Sequence, residues 1–366
     1  MLLVFTVIFV ALLFTYTNGF HDTANAIATV VGTKVLTPRQ AIILATITNL
    51  LGAMVGAAVA QTIASGLVDS HLIPADFASP MLICALLAAI SWNLITWYFG
   101  MPSSSSHALV GGLVGAAIAA AHGNWSAVIW TKAPAAGAHW WTGGGILYKV
   151  VMPMIISPVL GFLIAFFLMG GLYLLLRKSR PVTVSRNFGI LQLGSSAYMG
   201  FSHGTNDAQK TMGIIALALV AATKSGTFDQ LPAWLDFLKT PDASPGKPLE
   251  IALWIKVLCA LTMAAGTALG GWRIIKTLGH KLVKLQPVHG FAAETAGATV
   301  LLGTAMLGMP VSTTHVITSS IMGVGAAKRF SALKWPVIER IIWAWILTLP
   351  ITAVIACALV KLVQMF

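Results

Sequence analysis

GFHDTAN, residues 19 to 25, interrupts an apolar run that opens the chain as MLLVFTVIFVALLF. A carboxylate inside such a run is expensive at membrane depth and points to function. The box returns near the middle of the chain as SHGTNDAQK, Ser202 to Lys210, which places Asp22 and Asp207 at matching positions. Aligned on these two acids, His21 stands opposite Asn206, Thr23 opposite Ala208, Ala24 opposite Gln209 and Asn25 opposite Lys210. One polar box written twice predicts two related halves.

Hydrophobic residues make up 57% of the chain and charged residues 9%, against about 25% charged in a soluble domain. With a mean hydropathy of +0.87, the composition predicts an all-α polytopic membrane protein. The first residues lack both a positive leader and a small-residue cleavage site, so they read as a retained helix and not as a signal peptide. The net charge of +12 does not imply a nucleic-acid partner. Its bases form short clusters between apolar runs, such as Arg177, Lys178, Arg180 and Arg186, then Arg273, Lys276, Lys281 and Lys284, as the positive-inside rule produces. Cys84, Cys259 and Cys357 lie in separate apolar runs without ligand spacing, which predicts buried thiols, no disulfide and no metal site.

Apolar segments fall at about 1–31, 40–63, 80–99, 103–121, 148–176, 188–222, 250–272, 290–308, 311–327 and 337–364, each judged against the roughly 20 residues needed to span a bilayer. With several interrupted by Gly, Pro or polar residues, about 10–12 membrane segments are expected. Basic loops then go to the cytoplasm: Lys34 and Arg39, the join at 177–187, the loop 273–289, and Lys328, Arg329 and Lys334. The loops with Asp69 and Asp76, and with Asp229, Asp236 and Asp242, fall outside. This count makes residues 1–176 and 188–366 inverted repeats around the basic cytoplasmic join, with both termini outside. It also requires 80–121 and 290–327 each to be a hairpin that returns to its own side. Both turn on matching words 208 positions apart, GMPSSSSH (100–107) and GMPVSTTH (308–315).

The chemistry of these words follows from their residue types. Pro followed by Ser or Thr opens a helix, and a helix N-terminus with its free N–H groups and partial positive charge attracts anions. Ser104, Ser105, Ser106, Ser312, Thr313 and Thr314 are therefore candidate anion-binding residues, on two tips that inverted repeats bring toward the midplane. Oxygen and amide groups of the boxes, Asp22, Thr23, Asn25, Asn206, Asp207 and Gln209, suit a hard monovalent cation or a proton and could close the site. Lys210 could neutralise Asp207, contact the anion, or occupy the space of a cation. His21, His107, His203 and His315 lie in or beside the words and could relay protons, as could Glu294, a lone carboxylate in VHGFAAETAG.

Taken together, GFHDTANAIATVVGTKVLTPRQA, SHGTNDAQK and the two hairpin words resemble the inorganic phosphate transporter (PiT) family over essentially the whole chain. The resemblance implies a secondary active symporter importing inorganic phosphate in a plasma (inner) membrane. Phosphate would sit between the hairpin tips and the coupling cation, proton or sodium, at the Asp boxes. It implies a homodimer, no other cofactor and no enzymatic activity. Sodium-coupled relatives read GAND in both boxes, where this chain has Phe-His-Asp before Thr23 and Gln209-Lys210 after Ala208. Eukaryotic members carry Glu where Asn49 stands, and some carry large insertions absent here. These departures make the chain similar to the bacterial low-affinity permeases and imply proton coupling, with phosphate carried free or as a metal complex. Two rivals remain: an intramembrane hydrolase, which would need its His, Asp and Ser once and not in two inverted copies, and an anion channel lined by the same words.

Overall fold

The computed structural model describes residues 1–74, 76–229, 231–241 and 249–365; Asp242, expected in an outer loop, lies outside the described residues. Twelve α-helices and no strand form among the described residues. The first half contains α1 (Leu2–Gly32), α2 (Pro38–Ala53), α3 (Ala58–Ser65), α4 (Ala78–Tyr98), α5 (Ser105–Ala120) and α6 (Met152–Leu176). The second contains α7 (Pro181–Lys224), α8 (Leu253–Leu269), α9 (Trp272–Lys276), α10 (Pro287–Met306), α11 (Thr313–Lys328) and α12 (Trp335–Val363). Each predicted apolar segment is helical. The basic join is shorter than expected, because Pro181 at the first helical position starts α7, where proline's fixed φ and missing N–H cost nothing.

Among the described residues, four helices qualify by length and apolarity to cross a membrane: Leu2–Gly32, Ala78–Tyr98, Leu147–Leu176 and Trp335–Val363. Counting each of two bent pairs as one span raises this to six. The shortfall against the larger expected number has physical causes. α5 and α11 have 16 residues each and reach only about 24 Å at 1.5 Å per residue, less than the roughly 30 Å hydrocarbon core. α7 holds its polar box, and α10 holds His289 and Glu294. These helices are sheltered by others. Large apolar side chains exposed on α6 and α12, among them Ile155, Phe167, Leu174, Trp343, Ile346 and Val354, form an outer surface suited to lipid.

Matching segments of the two halves fold alike locally. α2 and α3 are separated by a 67° bend at Gly56, whose φ of +81° favours glycine. The two hairpins turn alike: Gly100 and Gly308 have φ of +64° and +65°, and the N–H groups of Met101 and Met309 each donate at 2.9 Å to the carbonyls of Thr96 and Thr304. Packing then crosses between halves. α2 lies on α7 and α8, α8 on α1, α5 on α12, and α1 on α7. Two crossings are glycine contacts at equivalent places. Gly19 of α1 meets Gly266 of α8, where an added methyl would stand 2.7 Å from the Met263 carbonyl oxygen, and Gly204 of α7 meets the backbone of α2 at Asn49. Close backbone approach at these crossings lets α1 and α7 run side by side through the middle of the molecule, carrying their polar boxes with them.

Candidate functional site

The two polar boxes and the two hairpin tips converge on one buried cluster. Asp22, Asn25, Asp207, Lys210, Ser104, Ser105, Ser106, Ser312, Thr313 and Thr314 are each at most 3% exposed. Helix starts place the hydroxyls. Ser104 and Ser312 are N-caps whose Oγ atoms accept from the N–H groups of His107 at 3.1 Å and His315 at 3.2 Å. That leaves the first N–H groups of α5 and α11 without intrahelical acceptors and directs the next two hydroxyls of each tip at the boxes.

The contacts obey the internal symmetry. Ser105 Oγ donates to Asp22 Oδ2 at 2.7 Å, and its counterpart Thr313 Oγ1 donates to Asp207 Oδ2 at 3.4 Å. Asn25 Nδ2 donates to Thr314 Oγ1 at 2.8 Å and to Thr313 Oγ1 at 3.2 Å, whereas its counterpart Lys210 donates to Ser106 Oγ. Thr314 Oγ1 also reaches Asp22 Oδ1 at 3.4 Å. Asp22 and Asn25 of the first half are thus tied to the second hairpin, and Lys210 of the second half to the first hairpin.

The halves differ in how they neutralise their acids. Asp22 Oδ1 lies 2.8 Å from His21 Nδ1, and His21 Nε2 is held by Thr96 Oγ1 at 3.2 Å, with Ser103 Oγ at 3.4 Å. Asp207 instead forms an ion pair with Lys210, one turn further along the same helix, with His203 Nε2 at 3.4 Å. His203 Nδ1 pairs with Asn49 Oδ1 at 2.8 Å. Sequence spacing predicts no metal site, yet the fold brings ligand atoms of Asp22, His203 and Asp207 within 4.8 Å of one another. Two carboxylates and an imidazole at that separation are a donor set for one small cation.

Other expected site residues are placed elsewhere. Thr23 turns its hydroxyl back to the Gly19 carbonyl at 2.5 Å and toward Thr267 O at 3.4 Å, facing α8. Gln209 caps the broken helix: its Oε1 accepts from Val59 N at 2.9 Å, and its Nε2 donates to Val55 O at 3.2 Å. Asn206 is fully buried with neither amide atom partnered within the protein. His107 and His315 touch edge to face, ring centroids 4.6 Å apart, and His315 stacks on Trp345 at 3.9 Å. Glu294 belongs to a separate network, accepting from Thr29 Oγ1 at 2.6 Å, Gln192 Nε2 at 3.0 Å and Ser195 Oγ at 2.5 Å. Thr29 lies two turns beyond Asp22 on α1, so this network stands next along the same helix. Sequence reasoning missed Thr96, Ser103, Thr29, Gln192 and Ser195; Ser103 stood in the first hairpin word, and Thr29, Gln192 and Ser195 left a trace as polar residues on α1 and α7, the helices that carry the boxes.

Two helix N-termini, two carboxylates and a set of possible cation ligands are thus gathered in one buried cluster midway along crossed helices. Comparison with known proteins gives the family. A family model described as the phosphate transporter family matches residues 18–356. A protein of Bacillus subtilis named "Probable low-affinity inorganic phosphate transporter" is 42% identical over 354 residues, covering 96% of this chain and 95% of the relative. One of the same name from Rhizobium meliloti is 39% identical over 348 residues, covering 95% and 92%. A solved structure titled "The sodium-dependent phosphate transporter" superposes with a TM-score of 0.80 at 24% identity, covering 100% of both chains, and so shares the fold. The chain belongs to the phosphate transporter family, a family of membrane transporters and not of enzymes.

Proposed function

We propose that the protein is a symporter that imports inorganic phosphate, held between the α5 and α11 tips, and that the coupling cation is the proton. The observation that carries the reading is the symmetric hydroxyl set, Ser105, Ser106, Thr313 and Thr314, each bonded to an Asp, Asn or Lys of a polar box. Closing the boxes onto the tips and binding the anion are then one event, which links cation to phosphate. Support for the proton comes from the first half, where an imidazole is bonded to the acid. A proton on the His21–Asp22 pair removes a buried negative charge without needing a ligand shell. The Asp22, His203 and Asp207 set supports carriage of a divalent metal with the phosphate as a second mode. The same reading has the protein in the plasma membrane as a homodimer with both termini outside.

The test is phosphate uptake by proteoliposomes in sodium-free buffer. An inward proton gradient should drive accumulation, and a strict sodium requirement would overturn the choice of proton. Flux that cannot run uphill on any gradient would make the protein a channel. Asp22→Asn and Asp207→Asn should each abolish uptake with the fold retained; wild-type uptake by both would sink the assignment of the boxes.

A further inference from the structure

We propose that Lys210 is a built-in coupling cation. Its ammonium occupies the place at Asp207 Oδ1 that a monovalent cation from solution would otherwise take, which leaves a transported monovalent coupling cation to the first half. This rests on the symport reading above. Lys210 is among the largest side chains in the protein that are fully buried, at 0% exposure. Its Nζ bonds both Asp207 Oδ1 and Ser106 Oγ, two hard oxygen donors of the kind a sodium ion uses. Ser106 in turn donates to the Val311 carbonyl at 3.0 Å. The ammonium therefore bridges α7 to the tip of α5, and through Ser106 to the approach of α11, without any ion from outside.

Symmetry shows what is unusual here. The counterpart of Lys210 is Asn25, a neutral amide that makes the equivalent contact to Thr314, the counterpart of Ser106. Both sites therefore need a donor at this position, and only one supplies it with a charge. Among Asp22, Asp207 and Lys210 the formal charges sum to one uncompensated negative, which His21 or an added cation beside Asp22 can balance. Two free carboxylates would call for two. Lys210 is thus a specificity-determining residue that sets both the number of cations taken up with each anion and the indifference of the second half to sodium.

The experiment compares wild-type protein and Lys210→Asn, which restores the first-half residue, in proteoliposomes and in detergent. Probes are inorganic phosphate uptake, with choline or sodium as the external cation, and the melting temperature with and without sodium. In sodium-free buffer the uptake of the variant should fall at least about tenfold, as expected when one member of a buried charge pair is removed. Sodium should restore part of that uptake and raise the melting temperature of the variant but not of wild type. The double variant Asp207→Asn/Lys210→Asn leaves no unpaired charge in the second box, so it should fold and should lose the sodium response. A folded Lys210→Asn protein indifferent to sodium by both measures, active or dead, would reduce Lys210 to a structural ion pair and overturn the inference. A wild type that itself requires sodium would overturn the proton reading alone; Lys210→Asn should then show a higher-order sodium dependence than wild type, and equal order would overturn the inference.

Discussion

Glu294 shows how a single carboxylate can be held in an apolar setting. Three neutral donors converge on it from α1 and α7. Removing the acceptor leaves Thr29 Oγ1 and Gln192 Nε2 buried and unmatched, at about 1–3 kcal/mol apiece, while Ser195 Oγ keeps the Gln192 carbonyl at 3.2 Å. Glu294→Ala should therefore lower stability by on the order of 3 kcal/mol, read as a lower melting temperature in detergent, while Glu294→Gln should retain most of it. Ser105→Ala deletes a hydroxyl donor to Asp22. A hydrogen bond to a charged group contributes about 1.5–3 kcal/mol, so the variant should show a KM for phosphate raised at least tenfold, with a smaller change in melting. At this scale the sequence reading depended on residue type. Asp22 and Asp207 stood out because an acid in an apolar run has few innocent roles. Thr29, Gln192 and Ser195 did not, because a helical Ser or Thr commonly satisfies itself on a carbonyl one turn back, as Thr15 and Thr48 do. Thr23 shows the converse: it was a candidate by position, and its hydroxyl bonds the Gly19 carbonyl one turn back.

Helices and their crossings set where these residues arrive. At the α2–α7 crossing there is no room for a side chain on Gly204, and overpacking costs about 1–3 kcal/mol. Gly204→Ala should destabilise by that amount and displace the box that ends in Lys210. Gly194→Ala, on the same helix but with nothing within 4 Å of the added methyl, should stabilise by up to about 1 kcal/mol through helix propensity. Thermal unfolding of the pair separates crossing from propensity. Gln209→Leu should weaken α3 by leaving the Val59 N–H and Val55 carbonyl unmatched, with protease sensitivity rising near Gly56. Hydropathy alone located nearly every helix, and the repeated words located both hairpins. The 67° bend within the segment read as 40–63 was not visible there, since Gly56 marks a possible break without giving its angle, and the side chain that fixes it comes from position 209.

Across the whole molecule the halves are interlocked rather than stacked. Loop charges and matching words predict an inverted order, but those patterns do not say which half covers which helix. Because α2 lies on α7 and α5 on α12, residues 1–178 alone would expose the surfaces that α7 and α12 cover. That fragment should fail to accumulate when expressed alone and should be captured by a tagged 179–366 fragment when the two are produced together; independent folding of either half would contradict the interlock. His107 and His315, mates in the alignment of the two hairpin words, touch, so a two-fold axis relating the halves would pass between them. A tetrahedral oxyanion has two-fold axes of its own, each able to exchange one O–P–O edge for the edge opposite. Phosphate centred on such an axis would show equivalent pairs of oxygens to the two tips, and sulfate would do so equally well. The symmetric frame is therefore blind to the central atom, and telling one tetrahedral anion from another falls to the groups that break the symmetry: His21 against Asn206, and Asn25 against Lys210.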